Sequence, residues 1–187
     1  MELQGERTIP ASPARTWAAL NDPDILKGCI TGCESLERVG DDRMQALLAV
    51  KVGPVSARFK GNLQITDVVA PTSYTIQFDG QGGVAGFGKG SAQVSLSDAA
   101  GGQTLLKYSA KAQVGGKLAQ IGSRLVDAAA AKIAEDFFQA FEARLREEAG
   151  VAAPAAEAPA AGGRDLRWLW WAGAAIVVAA LIYRMLR

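Results

Sequence analysis

The 187-residue chain carries 20 Lys and Arg against 19 Asp and Glu, a formal charge of +1, and contains no histidine. Near-neutrality argues against a nucleic-acid partner, which calls for a basic face. The missing histidine excludes Ser-His-Asp and Cys-His nucleophiles and any histidine general base. The length suffices for one domain of about 150 residues with its own core, plus a C-terminal appendage.

In chain order, residues 2–9 read as a short strand. Ser12-Pro13 then announces a helix to about Leu20, with Ser as N-cap and Pro at the first helical position. Asp22-Pro23 repeats the signal for a second short helix ending near Gly28. Cys29 and Cys33 follow in GCITGC. Two thiols with no histidine cannot close a zinc or iron–sulfur site, so they read as small buried hydrophobes near a helix end.

Residues 35–114 alternate with period two, giving strands at 35–39, 43–52, 55–69, 72–79, 88–97 and 104–113. Gly40-Asp41-Asp42, Gly53-Pro54, Pro71 and residues 98–102 punctuate them. Short turns between successive strands mean an antiparallel meander. Residues 117–148 form the longest helical stretch: Leu118, Ile121, Leu125, Ala129, Ile133, Phe137, Phe141 and Leu145 recur at three- or four-residue spacing. This order describes an α+β helix-grip fold, an antiparallel sheet wrapped around a long C-terminal helix.

The domain therefore occupies residues 1–149, and 150–164 form an Ala/Pro/Gly linker. At about 3.1 Å per residue the linker reaches ~45 Å. Residues 165–187 are expected to anchor the chain in a membrane as a single C-terminal transmembrane helix. Residues 168–183, WLWWAGAAIVVAALIY, carry no charge. Leu166, Met185 and Leu186 extend the run toward the roughly 20 apolar residues a span requires. Trp168, Trp170 and Trp171 stand at one end and Tyr183 at the other, as aromatic belts at the two interfaces do. MELQGERTIP has no signal-peptide pattern, so the domain is expected in the cytoplasm, on the cytoplasmic membrane.

One face of the sheet is polar, with Arg58, Lys60, Asn62, Gln64 and Thr66. The other carries Ala57, Phe59, Gly61, Leu63 and Ile65, then Tyr74, Ile76 and Phe78, then Ala92, Val94 and Leu96, then Leu106, Tyr108, Ala110 and Ala112. Many of these are Ala or Gly. A sheet spanning a long helix needs bulk to reach native packing density. Either the helix lies very close or a hollow remains, and a hollow lined this way takes an apolar ligand.

Residues 80–90, GQGGVAGFGKG, match the first seven positions of G-x-x-x-x-G-K-[ST] from Gly83, but Gly90 stands where the hydroxyl belongs. The alternating run that follows is a strand, so the helix N-terminus that makes a P-loop is missing. The segment reads as a hairpin loop, either plain or acting as a lid or docking element through Phe87 and Lys89.

GCITGCESLERV (28–39), VGPVSARFKGNLQITDV (52–68), GGVAGFGKGSAQVSL (82–96) and VGGKLAQIGSRLVDAAAAKIAEDFF (114–138) resemble the CoxG family of carbon monoxide dehydrogenase, within the START-like (SRPBCC) superfamily. Thr31 stands where that pattern suggests proline. The resemblance covers residues 1–145. It implies a START-like ligand-binding domain without catalytic residues, a molybdenum hydroxylase of the carbon monoxide dehydrogenase type as partner, and recruitment of that enzyme to the membrane. It also implies carriage of a respiratory quinone, menaquinone or ubiquinone in type, with the metal cofactors left to the partner.

On that reading Phe59, Phe78, Phe87, Tyr108, Ala110, Leu118, Ile121 and Leu125 line the ligand site, with Tyr108 donating to a quinone carbonyl. Gly82, Gly83, Gly86, Gly88 and Lys89 form the gate. The alternative is a purely structural recruitment protein with a filled core and no ligand.

Overall fold

The structure, a computed structural model, describes residues 1–148 and 150. Strand β1 (Glu2–Ile9) leads into helices α1 (Pro13–Leu20) and α2 (Pro23–Cys29). Six strands follow: β2 (Cys33–Arg38), β3 (Arg43–Val52), β4 (Val55–Val69), β5 (Ser73–Gln81), β6 (Phe87–Ala99) and β7 (Gln103–Gly115). Helices α3 (Lys117–Gln120) and α4 (Ser123–Glu148) come last. The first two helices start where their caps dictate. Ser12 Oγ accepts from the Arg15 N–H at 3.4 Å, and the Asp22 carboxylate accepts from the Asp24 and Ile25 N–H groups at 2.9 and 3.3 Å. These oxygens satisfy amide donors that a helix N-terminus leaves without partners.

The strands form one seven-stranded antiparallel sheet in the order β1-β7-β6-β5-β4-β3-β2. Strands β2 to β7 are the expected meander, and β1 pairs with β7 from Glu2↔Lys111 to Ile9↔Thr104. The register sorts the inward face into rows that cross the sheet. One row runs Ala46, Gly61, Gly80, Gly88, Val114; the next runs Met44, Leu63, Phe78, Gly90, Ala112. Then come Ile65, Ile76, Ala92, Ala110, Leu3, and after them Tyr74, Val94, Tyr108, Gly5. Leu96, Leu106 and Arg7 make the last of these rows. Side-chain bulk therefore rises from one end of the sheet to the other.

Helix α4 follows that gradient. Phe138, Phe141 and Leu145 are buried against Leu96, Leu106, Ile9, Ala19, Leu20, Ile25 and Cys29. Two fully buried hydroxyls lie nearby: Thr16 meets Thr104 at 3.2 Å, and Thr104 donates to the Ala11 carbonyl at 2.7 Å. A second apolar cluster, Val52, Phe59, Ala85 and Leu118, sits at the opposite end. A third, Leu36, Met44 and Ala46, lies under α2 and the β2–β3 edge.

Three expectations are corrected. The stretch 117–148 is not one helix: Gly122 adopts φ +93° and separates α3 from α4, a conformation that glycine enters without steric cost. Leu125 and Ile133, read as part of the buried stripe, are 50% and 41% exposed. The glycine loop is shorter than 80–90, because Gly80↔Gly88 and Phe78↔Gly90 continue the β5–β6 ladder. Among the described residues no helix is long and apolar enough to cross a membrane. The expected anchor at 165–187, with Trp168, Trp170, Trp171 and Tyr183, lies outside them.

Candidate functional site

The three apolar clusters do not merge, although a domain of this size normally builds one contiguous core. Ile76, Phe78, Ala92, Ala110 and Ala112 lie between them on the inward face and belong to none. All five are half-buried, so solvent reaches a sheet face that points at a helix. Above them the first half of α4, through Val126, Ala130 and Ile133, is nowhere fully buried. The glycine row gives the same answer. A Cβ built on inward-facing Gly88 would meet nothing within 4 Å, and one on Gly80 only carbonyl oxygens at 3.9 and 4.0 Å. The inward face is therefore least filled over the small-residue rows, where the expected hollow would lie.

The walls are apolar. Gly90 is needed where the β7 backbone comes close, a Cβ there falling 2.1 Å from the Lys111 carbonyl oxygen, and the Phe78 ring lies against the same position at 2.9 Å. At the bulky end Tyr108 stacks on Phe138 with ring centroids 5.1 Å apart, its hydroxyl resting over Gly5. The Arg7 guanidinium lies 5.8 Å from the Phe138 centroid and pairs with Glu135 of α4. Polar groups thus gather at one end of an otherwise greasy space. Arg7 and Glu135 were missed in the sequence because β1 had not been placed next to β7; the alternation Leu3, Gly5, Arg7, Ile9 was the available signal.

Of the residues expected to line the site, Phe78, Ala110 and Tyr108 stand on the inward face of the sheet. Phe59 and Leu118 are buried in the cluster that closes its glycine end, with Ile121 packed against it. Leu125 lies on the rim, where its Cδ1 would be 3.9 Å from a Cβ on Gly53. Phe87 does not line the expected hollow. It stands on the other parity of β6 from Gly88, is 40% exposed, and lays its ring across Gly115. Gly88 and Lys89 belong to β6 and not to a gate, and Lys89 faces outward opposite Asp79. Gly82, Gly83 and Gly86 do bound the connection, a single 3-10 turn that holds Ala85 buried. The element that follows this loop in sequence is a strand and not a helix.

A groove of about 1230 Å3 is lined by polar residues of the outward parity, among them Gln45, Asn62, Gln64 and Gln113, and also by the row Met44, Leu63, Phe78, Gly90 and Ala112. Cys29 is buried at the end of α2 and Cys33 half-buried; burial raises both thiol pKa values, with Arg144 and Lys27 opposing weakly. Among the described residues no cluster of His, Cys, Asp or Glu is fit to hold a metal.

The family model for the carbon monoxide dehydrogenase subunit CoxG matches residues 5–146. The chain belongs to the CoxG family. It is 30% identical to a conserved protein of known structure from Geobacillus kaustophilus, over 79% of this chain and 97% of that one, with a TM-score of 0.75. A START superfamily protein from Mycobacterium smegmatis (14% identity, 79% and 98% coverage, TM-score 0.61) shares the fold. So does the Zhui aromatase/cyclase from Streptomyces sp. R1128 (13% identity, 82% and 99% coverage, TM-score 0.60). No curated protein matches the chain. The fold is START-like.

Proposed function

We propose that this CoxG-family protein carries a respiratory quinone, or a similar prenyl lipid, between the cytoplasmic membrane and a molybdenum hydroxylase of the carbon monoxide dehydrogenase type, which it also recruits to the membrane. The single observation behind this reading is that the inward-facing Ile76, Phe78, Ala92, Ala110 and Ala112 are only half-buried and belong to none of the three apolar clusters. Burying a prenyl chain there gains about 25 cal/mol per Å2, and the bilayer offers the same gain. Net affinity from lipid is therefore weak, which suits a carrier that must release. Tyr108, stacked on the Phe138 ring that Arg7 also faces, would donate its hydroxyl to a quinone carbonyl. The expected C-terminal anchor raises the local concentration of the domain at the bilayer without adding a contact. The protein performs no chemistry of its own in this account; the redox centres are the partner's.

The test is extraction. The full chain is purified from membranes in mild detergent, and its organic extract is analysed by mass spectrometry. A prenyl quinone approaching one per chain is expected. A protein that emerges empty and takes up no added quinone sinks the carrier and leaves a recruitment scaffold.

A further inference from the structure

In a meander the turns fall alternately at the two ends of the sheet. One end holds the β2–β3, β4–β5 and β6–β7 connections, with Asp41, Asp42, Asp67 and Asp98. The other end holds the Gly53-Pro54 turn, the loop 82–86 and the segment 115–122, and these contain no Asp or Glu. Lys51, Lys117 and Arg124 flank them, all exposed. None of the three forms an ion pair among the described residues, whereas Arg43 at the acidic end pairs with Asp42. The nearest acids in sequence are Asp79, three residues before the loop 82–86, and Asp127, one turn along α4 from Arg124.

Apolar side chains protrude from the same end. Val84 is 85% exposed at the tip of the loop 82–86, and Leu125 stands beside Gly53. The platform beneath them is firm. Ala85, Val52, Phe59 and Leu118 pack together and tie the three connections to one another. Gly86 and Gly116, at φ +114° and +74°, touch backbone to backbone: a Cβ on Gly86 would fall 1.9 Å from the Gly115 carbonyl oxygen. A well-anchored loop that still holds a valine in water, with unpaired cations on the neighbouring connections, is complementary to one kind of surface. That surface is apolar beneath and anionic above.

We propose that this end of the domain docks on an anionic bilayer surface through a contact separate from the hydrophobic C-terminal segment. Val84 and Leu125 enter the headgroup layer, and Lys51, Lys117 and Arg124 meet lipid phosphates. The docking end is also the small-residue end of the sheet, over which the expected hollow would lie. The contact stands whether or not the hollow holds a lipid. Helix α4 carries the chain about 39 Å from this rim before the linker begins.

The domain, residues 1–150, is mixed with vesicles of phosphatidylcholine alone or of equal phosphatidylglycerol and phosphatidylcholine, and binding is read by co-sedimentation at 50 and 300 mM salt. Binding to the anionic vesicles at least about tenfold tighter than to the neutral ones, weakening with salt, is expected. Lys51→Gln/Lys117→Gln/Arg124→Gln should lose that preference, each cation accounting for about fivefold. Val84→Asp should weaken binding, and Asp41→Asn/Asp98→Asn at the far end should leave it unchanged. All these side chains are exposed, and circular dichroism verifies the fold. No binding by the wild-type domain, equal binding to both vesicles, or an unaffected triple variant overturns the proposal. Cations that serve only to hold an acidic protein partner would give the first of these outcomes. Because no quinone is present, failure here leaves the carrier reading intact, and an empty hollow leaves this one intact.

Discussion

Tyr74 shows how one buried side chain couples the domain to pH. It sits on the inward face of β5 between Ile76 and the β4–β5 turn, with Trp17 of α1 edge-on at 5.3 Å. Burial pushes its phenol far above the ordinary value of 10.0. A raised pKa means the folded state keeps its proton where the unfolded chain has lost it. The stability tied to that proton is complete below pH 10 and drains away as pH climbs beyond it. The buried Cys29 thiol, raised from 9.0, adds a smaller loss in the same direction. The melting temperature should hold level from pH 7 to about 9 and fall steeply above 10. Tyr74→Phe, which keeps the ring and removes the ionisable group, should flatten the fall. An unchanged alkaline slope in that variant would assign the loss elsewhere.

At the scale of elements, α4 is two half-helices in one rod. Its C-terminal half is clamped by Phe138, Phe141 and Leu145, and its N-terminal half leaves Leu125 and Ile133 partly in water. Local stability follows packing, so amides at 124–134 should exchange with solvent faster than those at 138–145, and ligand should slow the first group more. Uniform protection along the helix would mean that no hollow lies beneath it. The strands, their faces and the capped helices were legible in the sequence, because period-two alternation and Ser-Pro or Asp-Pro caps are local signals. The break at Gly122 was legible too, yet the apolar spacing on either side masks it. Two features had no local signal. Phe87 looked like a tip of the glycine loop, but a ladder closed by Gly80↔Gly88 put it on the outward face. Arg7 became part of the candidate site only through the pairing of β1 with β7, a contact between residues about a hundred positions apart.

For the whole molecule, the three separate clusters imply a stability that depends on what occupies the space between them. A ligand held at a hundred times its dissociation constant stabilises by about 2.7 kcal/mol. For a domain of this size that raises the melting temperature by roughly 5–10 °C. Ala110→Phe separates the two readings of the interior. Ala110 is half-buried between Ala92 and Leu3 on the open floor, so a phenyl ring there projects into free volume. If the interior is hollow, the variant should melt no lower than the parent and should lose the quinone-induced rise. It should also lose quinone transfer while still bringing the partner enzyme to membranes. If the interior is filled, the ring overpacks the core at a cost of about 1–3 kcal/mol, and quinone shifts neither protein. Thermal melts of parent and variant, with and without a prenyl quinone in detergent, distinguish the two cases, and a lowered, quinone-insensitive melt would leave the protein a scaffold.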